Sequence, residues 1–108
     1  MSPRLGELEQ LVLLALLRLN DRAYGVAVQR EIAARAKRSL SFATIYTTLN
    51  RLEQKGLVTT RLGEATAERG GRRKTYYSLS TTGREAVKAS LKALRTMSAG
   101  LGAALELP

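Results

Sequence analysis

The chain has 108 residues, room for one domain with a modest core and little more. Hydrophobic residues make up 44% and charged residues 25%, the balance of a folded globular protein and not a disordered one. Eighteen Lys and Arg face nine Asp and Glu for a formal charge of +9, and the absence of Cys and His removes disulfides, thiolate chemistry, imidazole acid–base work and the usual zinc ligands.

A first helix is predicted over about Arg4 to Leu19. Leu8, Leu11, Val12, Ala15, Leu16 and Leu19 fall at helical spacing, but Leu13, Leu14 and Leu17 cover the other side as well. The domain's own core is expected to cover only one of these faces, with a subunit interface over the other. The apolar run from Leu11 to Leu19 follows Glu7 and Glu9, lacks a cationic leader and falls far short of the ~20 residues that span a bilayer, so it reads as a buried helix. A turn at Asn20-Asp21 leads to a second helix over about Tyr24 to Arg38, with Val28, Ile32 and Ala36 on its apolar side and cations in its last turn.

A third helix is predicted between an N-cap at Ser41 and a C-terminal glycine at Gly56. Ile45, Leu49 and Leu52, with Phe42 at the border, share the face that anchors it to the core. The opposite face carries Ala43, Tyr46, Thr47, Asn50 and Gln54, flanked by Thr44 and Arg51, and contains no carboxylate. An ordinary solvated face mixes Glu with Lys. Small and hydroxylated side chains suit a helix that must approach base edges, where Thr can meet a thymine methyl and Asn can pair with adenine.

Two strands follow, "LVTTRL" from Leu57 and "RKTYYSL" from Arg73, rich in Val, Thr and Tyr. The long connection between them describes a two-stranded ribbon with a broad tip, expected to be disordered without a ligand. A last helix is predicted from a capping box at Thr82-x-x-Glu85, with Val87, Leu91, Leu94, Ser98 and Leu101 stepping four and three residues apart as a pairing seam. Gly100 and Gly102 end it. The expected organisation is a winged helix-turn-helix over residues 5–80, a C-terminal dimerisation helix over 82–101 and a disordered tail over 102–108. The fold class is mainly α with a small β-ribbon.

The basic charge is concentrated, with a net of +8 in residues 22 to 74. Such an excess points to a polyanion, with nucleic acid ahead of an anionic membrane surface. The densest stretch is "RGGRRK", Arg69 to Lys74. A phosphate-binding loop would place its glycines before a helix, with Lys-Ser/Thr entering it; here the glycines precede a strand. A dinucleotide fingerprint fails for want of a third glycine and a βαβ unit.

Four separated stretches, "LGELEQLVLLALL", "YGVAVQREI", "SFATIYTTLNRLEQKGLV" and "ERGGRRKTYYSLSTTG", resemble the PadR family of transcriptional regulators over nearly everything from Leu5 to about Leu94. The resemblance implies a homodimer built through the C-terminal helix and the first helix, binding an inverted-repeat operator, usually as a repressor. It places the recognition helix on Phe42 to Gln54, with Tyr46 on the motif tyrosine, and the DNA-reading residues are expected at Ser41, Ala43, Thr44, Tyr46, Thr47, Asn50 and Arg51. The wing falls on Arg69, Gly70, Gly71, Arg72, Arg73 and Lys74, and Tyr24 opens the second helix facing phosphate. The dimer interface is expected at Leu8, Leu11, Leu14, Val87, Leu91 and Leu94. A small-molecule effector of unidentified class is a further implied partner. The single C-terminal helix resembles the small subgroup without a larger effector domain.

The nine acids are scattered, so no carboxylate pair is set for catalysis, and no cofactor or metal site is expected. An enzyme is not indicated, and a cysteine-free chain fits a cytoplasmic protein. A winged-helix module that binds RNA or a protein partner is the competing reading. An acid-free helix face combined with a dimerising helix favours symmetric duplex half-sites.

Overall fold

Helix α1 (Glu7–Leu19) runs through the middle of the domain in the computed structural model, which describes residues 4–64 and 73–108. After it come a 3-10 turn (Asn20–Arg22), helix α2 (Gly25–Ala36), helix α3 (Phe42–Gln54), strand β1 (Val58–Leu62), strand β2 (Thr75–Leu79) and helix α4 (Thr81–Ser98). Four helices with a two-stranded ribbon after the third form a winged helix-turn-helix fold.

α1 packs against α2, α3, α4 and β2. This corrects the expectation that its own domain covers only one face. Leu13, expected on the outer side, is fully buried together with Val12, Ala15 and Leu16, because four elements surround the helix. The strip left open is narrow: Leu11 and Leu14 are half-buried and Leu17 is exposed. Val28 and Ile32 of α2, Ile45, Leu49 and Leu52 of α3, then Leu57, Val58, Tyr77, Ala86 and Val87 complete the core. Each large aliphatic side chain withdrawn from water here contributes about 1.5–3 kcal/mol.

α3 begins and ends where its caps require. Ser41 Oγ accepts the Thr44 N–H at 3.1 Å. At the other end Gly56 adopts φ +74°, and the Leu57 N–H reaches back to the Leu52 carbonyl at 3.0 Å. The strands pair antiparallel, Val58 opposite Leu79 and Leu62 opposite Thr75. Tyr24 forms an isolated bridge to Tyr76, and the Tyr77 N–H donates to the Ala23 carbonyl at 2.8 Å. The ribbon is thereby tied to the entrance of α2.

α4 starts earlier than its capping-box signature predicts. The N-cap is Ser80, whose hydroxyl accepts the Gly83 N–H at 3.0 Å and donates to the Gly56 carbonyl at 2.7 Å. Thr82 and Glu85 lie exposed within the first turns. Gly83 rests against the Leu57 carbonyl so closely that a Cβ would collide with the oxygen. The Ser80 N–H binds that same carbonyl at 3.0 Å. The predicted seam also ends sooner, because α4 stops at Ser98 and Gly100 turns at φ +81°, which leaves Leu101 beyond the helix. Val87 is spent in the chain's own core, while Leu94 and Met97 are 55% and 78% exposed. Residues 101–107 form turns closed by bonds such as Leu105 N–H to the Leu101 carbonyl at 3.0 Å.

The radius of gyration, 15.6 Å, exceeds the ~13 Å of a compact domain of this length. The far half of α4 is exposed, and the long axis of the molecule is 54 Å. Among the described residues no helix is long and apolar enough to cross a membrane.

Candidate nucleic-acid interface

Ile45, Thr48, Leu49 and Leu52 bury one side of α3 and so determine what the other side presents. Thr48 satisfies its hydroxyl locally, donating to the Thr44 carbonyl at 2.8 Å. Ser41, Ala43, Tyr46, Thr47, Asn50, Arg51 and Gln54 are exposed, and Thr44 is partly so. The residues expected to read DNA therefore share one accessible surface. Glu53 borders this surface, and its carboxylate accepts a bond from the Thr60 hydroxyl at 3.2 Å. A hollow of about 250 Å³ lies beside the helix, lined by Leu8, Ala43, Thr44, Thr47, Thr48 and Arg51.

Phe42 is not the border core residue that periodicity suggested. It is 45% exposed at the start of α3 and stacks on Tyr46, ring centroids 6.3 Å apart and planes 23° from parallel. Tyr46 is 41% exposed, and its hydroxyl end lies against Gly25, where a Cβ would come within 2.5 Å of Oη. The glycine of the Tyr-Gly pair is thus a seat for the tyrosine of α3. Sequence reasoning assigned Gly25 no such role.

The root of the ribbon carries a ladder of two adjoining rings with a cation at each end. Lys74 Nζ sits 4.1 Å from the Tyr24 ring centroid, Tyr24 meets Tyr76 edge-to-face at 5.9 Å, and the Arg61 guanidinium lies 4.5 Å over Tyr76. Arg61 also donates to the Asp21 carbonyl at 3.0 Å. Gly63 leaves room for the Tyr76 ring, which a Cβ would approach to 2.5 Å. At exposed sites each cation–π contact contributes about 0.5–1 kcal/mol. Together they set the direction in which the ribbon leaves the domain. Tyr24 is half-buried in this ladder, while Arg73 and Lys74 are exposed beside it. Arg69, Gly70, Gly71 and Arg72, also expected in the wing, lie outside the described residues. Arg61 was not among the expected contacts, because a lone arginine in a strand carries no local signal.

Beneath α3, a charged contact joins it to α1. Glu9 reads from the sequence as a helix-start charge, and one of its oxygens does accept the Gly6 N–H at 3.0 Å. The other accepts from Lys55 Nζ at 2.7 Å, and the side chain is nearly buried. Burial alone would raise the Glu9 pKa. The bonds from Lys55 and Gly6, with the positive fields of Lys55 and Arg51, outweigh that and hold it below the ordinary value. Tyr77 is shifted upward, by burial first and then by Tyr46 and Glu53, so it stays a neutral core phenol. Glu7 pairs with Arg38 at the start of the link to α3.

A winged helix whose third helix exposes small, hydroxyl and amide side chains defines the class of protein. The Transcriptional regulator PadR-like family model matches residues 13–89, and the chain belongs to that family. No curated protein sequence matches it. Among solved structures, a PadR family transcription regulator from hypervirulent Clostridium difficile is similar with a TM-score of 0.75 and 23% identity, covering 93% of this chain and 99% of that one. RosR of H. salinarum has a TM-score of 0.71 at 23% identity over 93% of this chain and 83% of its own. A PadR family transcriptional regulator from Eggerthella lenta has a TM-score of 0.67 at 26% identity over 94% and 88%. The chain is a transcriptional regulator, and its family is one of regulators and not of enzymes.

Proposed function

We propose that this regulator binds double-stranded DNA in a sequence-specific manner, as a homodimer on an inverted repeat, and acts as a repressor. The observation that carries the reading is the exposed side of α3. Ala43, Thr47 and Asn50 project from a helix whose other side is locked into the core, with Tyr46 and Arg51 at the flanks. Base readout needs side chains of this kind on a fixed support. Arg73 and Lys74, with the neighbouring Arg69 and Arg72 of the sequence, supply phosphate or minor-groove contacts from the wing. Tyr24 lends its ring to Lys74 and so acts on phosphate through it.

Dimerisation has its own support. Leu11, Leu14 and Leu17 on α1 and Leu91, Leu94 and Met97 on α4 leave apolar surface without cover in the single chain. Leu8, also expected in the interface, is half-buried and lines the hollow beside α3, outside this apolar region. Pairing two copies through it doubles the base contacts and places two α3 helices in successive major grooves, ~34 Å apart. The apolar groove between α1 and α2, lined by Leu11, Leu14, Ile32 and Ala36, holds about 180 Å³, less than the roughly 300 Å³ at which small-molecule sites begin.

Selection of bound duplexes from a random pool tests the proposal. An enriched inverted repeat with half-sites one helical turn apart is expected. Equal retention of all sequences, or preference for structured RNA at every salt concentration, would overturn it.

A further inference from the structure

We infer that Phe42 reads a thymine methyl group in each half-site, which makes it a specificity-determining residue. The inference rests on the DNA-binding function proposed above. Phe42 is the first residue of α3, the end by which a recognition helix meets base edges. It is the single Phe of the chain, and its ring is 45% exposed where Ile45 and Leu49 fill the core beneath. The ring is also held. It stacks on Tyr46, and Tyr46 is in turn seated on the backbone of Gly25, so the pair forms a firm apolar pad beside Ala43 and Thr47.

Chemistry narrows what such a pad can recognise. A phenyl ring has no hydrogen-bond donor and no charge, so it neither holds a phosphate nor pairs with a polar base edge. The one apolar group displayed in the major groove is the C5 methyl of thymine. On the function proposed above the ligand is a duplex, and within a duplex the ring can reward only that methyl. A protein partner seated on the pad would leave DNA binding indifferent to it.

The decisive comparison replaces thymines of the selected half-site, one position at a time, with deoxyuridine. Base pairing is kept and only the methyl is removed. At one position the wild-type protein should bind about fourfold more weakly per half-site, from one buried methyl-sized group, and roughly 15-fold more weakly when both half-sites are changed. Phe42→Ala should bind thymine and deoxyuridine duplexes equally, at the wild-type deoxyuridine level. Phe42→Leu, which keeps apolar bulk, should retain part of the discrimination. Thermal unfolding of each variant should match the wild type, since the ring contributes little to the core. Indifference of the wild type at every position, full discrimination by Phe42→Ala, or a selected half-site without thymine would each overturn the inference while leaving DNA binding intact. Failure to retain any duplex at the selection step would sink the proposed function, and this inference with it.

Discussion

Helix α3 and the β1–β2 ribbon both carry candidate DNA contacts, yet they are built on opposite terms. α3 sets four residues into the core and is capped at both ends, so each exposed side chain has a defined place. Among its described residues the ribbon buries only Val58 and Tyr77, and its direction depends on exposed rings and cations at its root. A rigid support suits choice among base sequences, where a displacement of an ångström breaks a hydrogen bond. Charge near a phosphate backbone tolerates far looser placement, because Coulomb attraction falls off gradually with distance. On the DNA-binding reading proposed above, selectivity would rest on the firmly anchored helix and attraction on the more exposed ribbon.

Stability offers the largest contrast. Leu49→Ala in α3 should cost about 2–5 kcal/mol in denaturant unfolding, a cavity beneath the reading face. Leu62→Ala in the ribbon, 64% exposed, should stay within about 0.5 kcal/mol. Comparable costs would mean the ribbon is as firmly built as the helix. On DNA, Asn50→Ala is expected to weaken binding by about 1–3 kcal/mol on the selected site and far less on random duplex. Equal weakening on both would make Asn50 a positioning residue only.

A third test separates α3 from α1. Glu9→Gln should destabilise the fold by about 1–2 kcal/mol near neutral pH, because the charge-assisted bond to Lys55 is removed. The Glu9 pKa is lower in the folded chain, so its stabilisation is present above the unfolded carboxyl value and disappears as pH falls through the folded one. Acid unfolding of Glu9→Gln should accordingly be shallower than that of the wild type below the ordinary value of 4.5. Parallel curves would show that the contact does not couple to protonation. The smallest effect belongs to the ribbon. Arg73→Ala with Lys74→Ala should weaken binding to every duplex alike and flatten the salt dependence by roughly one unit for each phosphate these side chains neutralise. An unchanged slope would remove the wing from the interface.

What could be read in the sequence was whatever is decided within one or two turns. Both limits of α3 were legible because Ser41 and Gly56 act on neighbours three to five residues away. The division of α3 into a core face and an accessible face followed from periodicity, and Ile45, Leu49 and Leu52 lie where it places them. Phe42 did not, because its angle at the edge of the stripe permits either side and the Tyr46–Gly25 contact decides. The start of α4 was misplaced by two residues for a related reason. Thr82 with Glu85 satisfies the local signature, while Ser80 wins through a bond to Gly56, 24 residues away in the chain. Glu9 shows the same limit: its helix-start role is local, and its partner Lys55 is 46 residues distant.

The junction between Leu57 and Gly83 has a further consequence. α3 ends and α4 begins against one residue: the Leu57 N–H donates to the Leu52 carbonyl, while the Leu57 carbonyl accepts the Ser80 N–H and abuts Gly83. α4 is about 27 Å long, so a tilt of about 5° at that junction moves its far end by about 2 Å. In the proposed homodimer, a modest change where two α4 helices meet would reach α3 scaled down but still present. In the homodimer proposed above, a substitution that changes how two copies pair would therefore also change the spacing of their α3 helices.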